Sequence, residues 1–274
     1  MRASARLVVV VGLAALTSGC ITALTSIKLR PDGSGTIDQT LSMSAAAASQ
    51  FAEMAKGFGE AVADGAAAPA GEPDFFSEKE MKEAAAKFGD GVTFVSSKPI
   101  KTADRVGRVA TYQFADITKL KIDQKPQTGD MPGASASGGA DDVLFRFTKL
   151  PAGTSQLTVV FPEAKFDEAR KEAAAQKKEG AANPAQIEMM KKLFDGLKVG
   201  IDVSVLGTIV KTNSPYVQGS TVTLLEMDFA QLLSNDQLLS EIGEPGSLEE
   251  AKALLKNVKG FKINLDREVA IEFK

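Results

Sequence analysis

The chain has 274 residues, with 32 basic and 35 acidic side chains, one cysteine, and neither histidine nor tryptophan. Without histidine or a second cysteine, the usual zinc, copper and haem sites are excluded, as are Ser–His and Cys–His catalytic pairs. The net charge of −3 argues against nucleic acid as a partner, because that partner requires a basic surface. The composition therefore predicts no cofactor, no metal ion and no catalytic residues of the common kinds.

The first segment has the parts of an export signal. Arg2 and Arg6 supply a positive start, and an apolar run follows from Leu7 to Leu16. At about 1.5 Å per helical residue this run covers roughly half of a ~30 Å hydrocarbon core, which is too short for a stable span. Residues 1–19 are therefore predicted to be a signal peptide that is removed.

Residues 16–20 (LTSGC) resemble the lipobox of bacterial lipoproteins, in which small residues precede an obligatory cysteine. The resemblance implies that Cys20 receives a diacylglycerol, that cleavage occurs before it, and that its new amine is acylated too. Thr17 stands where that family more often has Leu, Val or Ile. An ordinary secretory signal would need a small-x-small cleavage site, and residues 21–23 (ITA) match it poorly. Cys20 is thus the predicted lipidation site, and its acyl chains are the predicted link to a membrane.

Two further features follow from this cleavage. The mature chain loses Arg2 and Arg6 and no acids, which leaves 30 basic against 35 acidic side chains and no general attraction to anionic lipid. Ile21 follows the cysteine, in place of the Asp that in many Gram-negative lipoproteins signals inner-membrane retention. We therefore expect an extracytoplasmic, membrane-anchored protein, with the outer membrane favoured if the host is Gram-negative.

Residues 20–274 are predicted to form one lipid-anchored domain. It opens with a β-hairpin around the turn Pro31-Asp32-Gly33, so close to Cys20 that the domain should lie against the bilayer. The other predicted elements, in chain order, are a helix from near Ser44 to Phe58, a loop at 57–73, a helix with a Ser77–Glu80 capping box, strands at 92–99 and 107–114, a mobile loop at 123–141, a hairpin of 143–150 with 156–161, a charged helix at 163–179, a helix opened by 183–186, a strand at 199–210 with its partner at 219–225, a helix from Asp228 to Leu239, a helix from Ser247 to Val258, and strands at 261–265 and 268–273.

Hairpins with alternating faces imply an antiparallel sheet, and the intervening segments imply helix pairs packed on it, which makes an α+β fold. Residues 77–114 and 247–273 share the order of capped helix, Gly-containing turn and two strands. That shared order is what an internal duplication would leave, although capped amphipathic helices are common enough to produce it by chance.

Residues 207–213 (GTIVKTN), followed by 219–223 (GSTVT), resemble a pattern in LppM-like bacterial envelope lipoproteins. In those proteins a strand ends at a Thr-Asn turn and a Gly-Asn-Thr-Val-Thr-like strand returns. Residues 30–35 (RPDGSG) have the same character, whereas Leu224 stands where a Trp is often found. The resemblance implies a membrane-tethered α+β module with envelope lipids or proteins as partners, and it carries over no active residues.

Several segments are functional candidates, and most of them also have a structural interpretation. They are Asp141-Asp142 as a metal or general-base pair or a solvated loop end, the helix at 163–179 as a partner surface or a solvated face, Met189, Met190, Leu193 and Phe194 as an acyl-binding groove or core, and Tyr216 as a contact residue.

The sequence is compatible with three functions. The first is a non-enzymatic envelope module that binds a lipid or a protein. The alternatives are a carboxylate-dependent hydrolase acting on envelope polymers, which would need two acids facing one cleft, and a structural factor in envelope assembly. The absence of a histidine favours a non-enzymatic role without settling whether the chain is an enzyme.

Overall fold

The computed structural model describes residues 21–49, 52, 76–123, 142–151, 153–161, 196–233, 258–264 and 266–274. Within these ranges the strands are β1 (Ile21–Leu29), β2 (Gly35–Ser44), β3 (Thr93–Lys101), β4 (Arg105–Phe114), β5 (Lys121–Asp123), β6 (Asp142–Lys149), β7 (Ser155–Val160), β8 (Lys198–Val205), β9 (Ile209–Thr212), β10 (Val217–Gln218), β11 (Thr221–Asp228), β12 (Phe261–Ile263) and β13 (Glu268–Phe273). Helices span Glu78–Ala84 and Phe229–Leu233, with 3₁₀ turns at Ala85–Phe88 and Ile117–Lys119, and residues 45–49 are also helical.

The strands form two sheets. One has eight strands in the order β10-β11-β8-β1-β2-β4-β3, with β12 also paired to β11. The other has five strands in the order β5-β6-β7-β13-β9. Neighbouring strands are antiparallel except for β1 and β8, which run parallel in the middle of the larger sheet.

Both sheets contribute to one hydrophobic core, because alternate residues of each strand point to the same side of its sheet. The cluster includes Ile27, Leu29, Ile37 and Val203 of the larger sheet with Phe145, Leu157, Ile271 and Phe273 of the smaller one. The β1–β2 turn is held against the smaller sheet, since the Ser155 hydroxyl donates to the Pro31 carbonyl at 2.9 Å. The core therefore lies between the two sheets.

The predicted hairpins are confirmed. β1 pairs with β2, β3 with β4, and β6 with β7, all antiparallel. The capping box is also present, because the Ser77 hydroxyl accepts from the Glu80 N–H while the Glu80 carboxylate accepts from the Ser77 N–H. Gly89, at φ +115°, ends the following turn, as a residue without a Cβ can.

The α+β class holds only in a strongly β-dominated form, and the expected helix pairs packed on a sheet are not supported. The helix Glu78–Ala84 packs on the core side of the larger sheet, where the Tyr112 hydroxyl donates to the Met81 carbonyl at 3.0 Å. Elsewhere the smaller sheet covers the core, because alternate residues of its strands are buried against the larger sheet. The helix predicted at 163–179, the loop at 57–73 and the signal-peptide boundary lie outside the described residues, as does nearly all of the loop at 123–141. The helices predicted at 183–197 and 247–258 also lie outside them except at residues 196, 197 and 258, which are not helical.

The prediction of one continuous strand at 199–210 is wrong, because two strands occupy this segment. The chain leaves the larger sheet after Val205 and enters the smaller one at Ile209, where β9 pairs with β13. Gly207 makes this crossing possible, because a Cβ at this position would collide with the carbonyl of Lys274. Just before the crossing, the Leu206 N–H donates to the carbonyl of Leu29 in the larger sheet at 2.7 Å.

The two closing strands do not form a hairpin, and the suggested internal duplication is contradicted. β12 pairs with β11 in the larger sheet, whereas β13 lies between β7 and β9 in the smaller one. β3 and β4, their supposed counterparts, pair with each other. Similar local patterns therefore lead to different long-range pairings.

Candidate functional site

The face of the larger sheet opposite the core carries a line of polar side chains, here called the polar row: Asp202, Ser26, Asp38 and Thr111. Ser26 on β1 stands directly between Asp202 on β8 and Asp38 on β2. The Ser26 hydroxyl donates to Asp202 Oδ1 at 2.8 Å, and the Thr111 hydroxyl donates to Asp38 Oδ1 at 2.7 Å. Strand register thus brings together residues far apart in the sequence.

The two carboxyl groups of the row have opposite electrostatic environments. Burial opposes ionisation of Asp38, but hydrogen bonds from Lys28 and Thr111 and the Lys28 charge outweigh it and lower the pKa of Asp38. Lys28 Nζ lies 2.7 Å from Asp38 Oδ2. Burial raises the pKa of Asp202, and the Ser26 hydrogen bond and the more distant Lys28 charge only partly oppose this. The pKa values of the two acids are therefore shifted in opposite directions.

Two carboxyl groups whose pKa values are shifted in opposite directions can supply the acid and the base of a catalytic site. Asp38 and Asp202 are separated by two strand spacings, or about 10 Å between backbones. Each, however, already accepts a hydrogen bond from its neighbour in the sheet. Within the described ranges no three His, Cys, Asp or Glu residues converge to hold a metal ion. The row is consistent with a solvated structural face as well as with a site.

The strand that follows Cys20 starts without any linker. β1 begins at Ile21 and runs between β8 and β2, inside the larger sheet. Arg105 holds the start of β1 against β2, because its Nη2 donates to the Thr22 hydroxyl at 2.7 Å and to the Ser42 hydroxyl at 3.0 Å. Cys20 itself lies outside the described residues.

The Thr-Asn turn proves to be structural. Asn213 lies just past β9 and continues its pairing through the side chain, since Nδ2 donates to the Glu268 carbonyl at 2.9 Å and Oδ1 accepts from the Ala270 N–H at 2.8 Å. The amide group thereby acts as one more rung along β13. The Asn213 side chain therefore contributes to strand pairing at this turn.

A buried asparagine that the sequence analysis did not single out joins this turn to the larger sheet. Asn264 Nδ2 donates to the carbonyls of Thr223 and Leu224, at 2.7 and 3.0 Å, where β11 has a bulge. Its Oδ1 accepts from the Ser214 hydroxyl at 2.9 Å. An Asn after a short apolar run offered no signal of this role, because all three partners are distant in sequence.

Exposed apolar side chains cluster on the same segment. Leu206, Val210 and Val217 are 51%, 52% and 41% exposed. β9 and β10, which carry two of them, are edge strands of their respective sheets. Exposed apolar residues at short edges are candidates for partner contact. Tyr216, which is half-buried, directly precedes Val217 in the chain.

The remaining candidates are only partly placed. Asp142 begins β6 and pairs with Asp123 on β5. Asp141, the helix at 163–179, and Met189, Met190, Leu193 and Phe194 lie outside the described residues.

No protein-family model matches the chain, and no curated protein matches it. Among solved structures the chain is similar to the NMR structure of the folded domain of Mycobacterium tuberculosis LppM, with 10% identity and a TM-score of 0.32, over 94% of this chain and 91% of that one. Among the described residues no helix is long and apolar enough to cross a membrane.

Proposed function

We propose that the chain is an envelope lipoprotein, held on a membrane by acyl chains on Cys20, whose folded domain binds an envelope lipid or protein without catalysing a reaction. One observation supports this above the others: β1 begins at Ile21 and is an internal strand. Consecutive Cα atoms are only about 3.8 Å apart, so acyl chains on Cys20 would join the sheet with no spacer between them.

Such a connection suits a permanent anchor. β1 is hydrogen-bonded to β2 on one side and to β8 on the other. A pull on residue 20 therefore acts along the strand and must shear both ladders together. A domain hung in this way stays at the membrane surface, which fits a partner that is itself in the envelope. The outer membrane is the proposed location in a Gram-negative host.

The anchor is tested by Cys20→Ser in the full chain, with Thr17→Leu as the matched control because it restores the more usual lipobox residue. We expect Cys20→Ser to abolish incorporation of labelled palmitate and to leave the precursor uncleaved, while Thr17→Leu is labelled and processed like the wild type. A Cys20→Ser chain that is still acylated and cut before residue 20 contradicts the anchor.

Binding is tested by photo-crosslinking in intact envelopes, with the reactive group placed at Val210 or Val217. The control position is Lys149, which is exposed but belongs to a polar hairpin end. We expect a light-dependent adduct with one defined lipid or protein at the apolar positions only. If these positions and purified lipid extracts all give nothing specific, the binding role fails while the anchor stands. Deletion that mislocalises other envelope proteins without any such adduct would favour the assembly role.

A carboxylate-dependent hydrolase is the second candidate, because Asp38 and Asp202 share a face and their pKa values are shifted in opposite directions. This function requires both Asp38→Asn and Asp202→Asn to abolish release of fragments from envelope polymers while the protein stays folded and anchored. Unchanged polymer turnover in the two variants removes this candidate.

A further inference from the structure

One end of the larger sheet, here called the anchor end, gathers the residues nearest to Cys20. β1, β4 and β8 begin there, and β2, β3 and β11 end there. The register establishes this, since Ile21 pairs with Met43, Thr22 with Lys198, and Arg105 with Ser44. Ile21, the residue after Cys20, therefore lies in a row of strand ends.

The charge of the anchor end differs from that of the chain as a whole. Among the described residues it carries five basic side chains against three acidic ones, whereas the whole chain has a net charge of −3. The basic residues are Lys101, Arg105, Lys198, Lys259 and Lys262, and the acidic ones are Asp104, Glu226 and Asp228.

Two of these basic side chains are exposed at the strand ends and could contact a charged surface there. Lys101 is exposed at the last residue of β3. Lys198 begins β8 beside Thr22, and 41% of its side chain is exposed even though Glu226 lies 3.8 Å away. Arg105 has a different role, because its guanidinium ties Thr22 and Ser42 together and holds the start of β1 in the sheet.

We infer that the anchor end rests on the bilayer, with Lys101 and Lys198 at the level of anionic lipid headgroups and the strands of the larger sheet directed away from the membrane. This orientation rests on the proposed acylation of Cys20. With no linker at residue 21, the acyl chains would fix which end meets the lipid, and the local positive charge would attract anionic headgroups.

The opposite end then lies well clear of the bilayer. β1 has nine residues, and at about 3.3 Å per residue it separates the two ends by roughly 27 Å. Leu206 and Val217 belong to that far end, since β8 finishes just before the first and β10 pairs with the start of β11. The exposed apolar residues would therefore face away from the anchoring membrane.

Labelling tests the orientation in the full acylated chain. Cys20 is the single cysteine and acylation consumes its thiol, so an introduced cysteine is the one free thiol. The two variants are Ala103→Cys at the anchor end and Gln218→Cys at the far end, both exposed positions. Each carries an environment-sensitive fluorophore, and the protein is reconstituted in phosphatidylglycerol-containing vesicles with a quencher on the headgroups. We expect several-fold stronger quenching at position 103 than at 218.

A charge reversal tests the role of the headgroups. Lys101→Glu should lower quenching at position 103 on anionic vesicles but not on zwitterionic ones, and the matched control Lys149→Glu should leave it unchanged on both. Equal quenching at 103 and 218, stronger quenching at 218, or no response to Lys101→Glu overturns the inference. A chain that does not float with the vesicles at all lacks the anchor, and in that case both the proposed function and the orientation fail.

Discussion

Asn264 should be one of the most costly single polar side chains to remove. It is 8% exposed and makes three hydrogen bonds at the bulge of β11. Asn264→Ala removes these three side-chain hydrogen bonds in a buried place, and each group left unsatisfied costs about 1–3 kcal/mol. The Leu224 carbonyl keeps the backbone N–H of residue 264 at 3.3 Å, and the Ser214 hydroxyl still accepts from the Tyr216 N–H at 3.2 Å. Because neighbouring losses overlap and some relaxation occurs, we expect the free energy of unfolding to fall by about 3 kcal/mol. In a chain of this size that corresponds to a Tm lower by roughly 6–12 °C.

Thermal unfolding of the purified mature protein in mild detergent, followed by circular dichroism, measures this loss. Asn213→Ala is the matched control, because it removes two hydrogen bonds to backbone from an exposed asparagine where water can replace them. Its expected cost is about 1 kcal/mol. If the two variants lower Tm equally, the reasoning from burial is refuted.

Asn264→Asp separates the donor from the acceptor. The new carboxylate can still accept from the Ser214 hydroxyl, but it turns an oxygen toward two carbonyl oxygens that previously received hydrogen bonds. Repulsion and burial raise the pKa of this carboxyl in the folded state. The variant should therefore be less stable than Asn264→Ala at pH 7 and should recover part of its stability on acidification, when a protonated carboxyl can donate again.

Three further outcomes are expected. Because burial raises the pKa of Asp202, Asp202→Asn should increase the stability at neutral pH, and this gain should disappear as the pH falls below the unfolded pKa of the carboxyl. Asp38→Asn should lower the stability at neutral pH, and this loss should shrink as the pH falls through the lowered folded pKa. Urea midpoints measured across pH test both variants. Gly35→Ala should prevent folding, since its Cβ would collide with the backbone carbonyl of Lys28 and lie 2.5 Å from the Phe114 ring. Gly153→Ala meets open space at φ +79° and should cost only about 1–2 kcal/mol, and soluble yield and Tm measure both variants. Burial raises the pKa of Tyr112 to about 12 from 10.0, so the wild type should lose stability as the pH rises through that interval, and an alkaline titration of Tyr112→Phe should lack this loss although the variant starts about 1 kcal/mol lower.

Much of the local structure could be predicted because its causes are local. The turn at Pro31-Asp32-Gly33 and the alternation on either side of it determine the β1–β2 hairpin. Ser77 and Glu80 specify a helix start through hydrogen bonds three residues apart. The lipobox-like residues before Cys20 are likewise a contiguous signal, and lipidation there stays a prediction.

The assignment of strands to sheets could not be predicted, because alternation states which face is buried and not which neighbour covers it. An unbroken apolar alternation across Gly207 gave no sign that the chain changes sheets there. The reason lies in the approach of the Lys274 backbone, 67 residues further along the chain. The parallel pairing of β1 with β8 has the same character, since no turn links the two strands.

The polar row was missed for a related reason. Asp38 and Asp202 each occupy an outward position of an alternating strand, where an acid is ordinary. Only the register places both beside Ser26, and only burial and Lys28 make their carboxyls differ. Side-chain chemistry assembled across strands has no signature in a contiguous stretch of sequence.

The place of β1 also sets an order of events during maturation. Ser26 and its hydrogen-bond partner Asp202 are 176 residues apart, so in a chain exported as proposed the first strand would lack one of its two neighbours until most of the chain had emerged. The proposed acylation and cleavage at Cys20 could take place during that interval. Once β8 has docked, the bond before Cys20 would stand immediately at the start of a sheet strand, where a protease could hardly bind an extended substrate. We therefore expect acylation and cleavage to precede folding, and a chain that folds too early to be trapped as an uncut precursor.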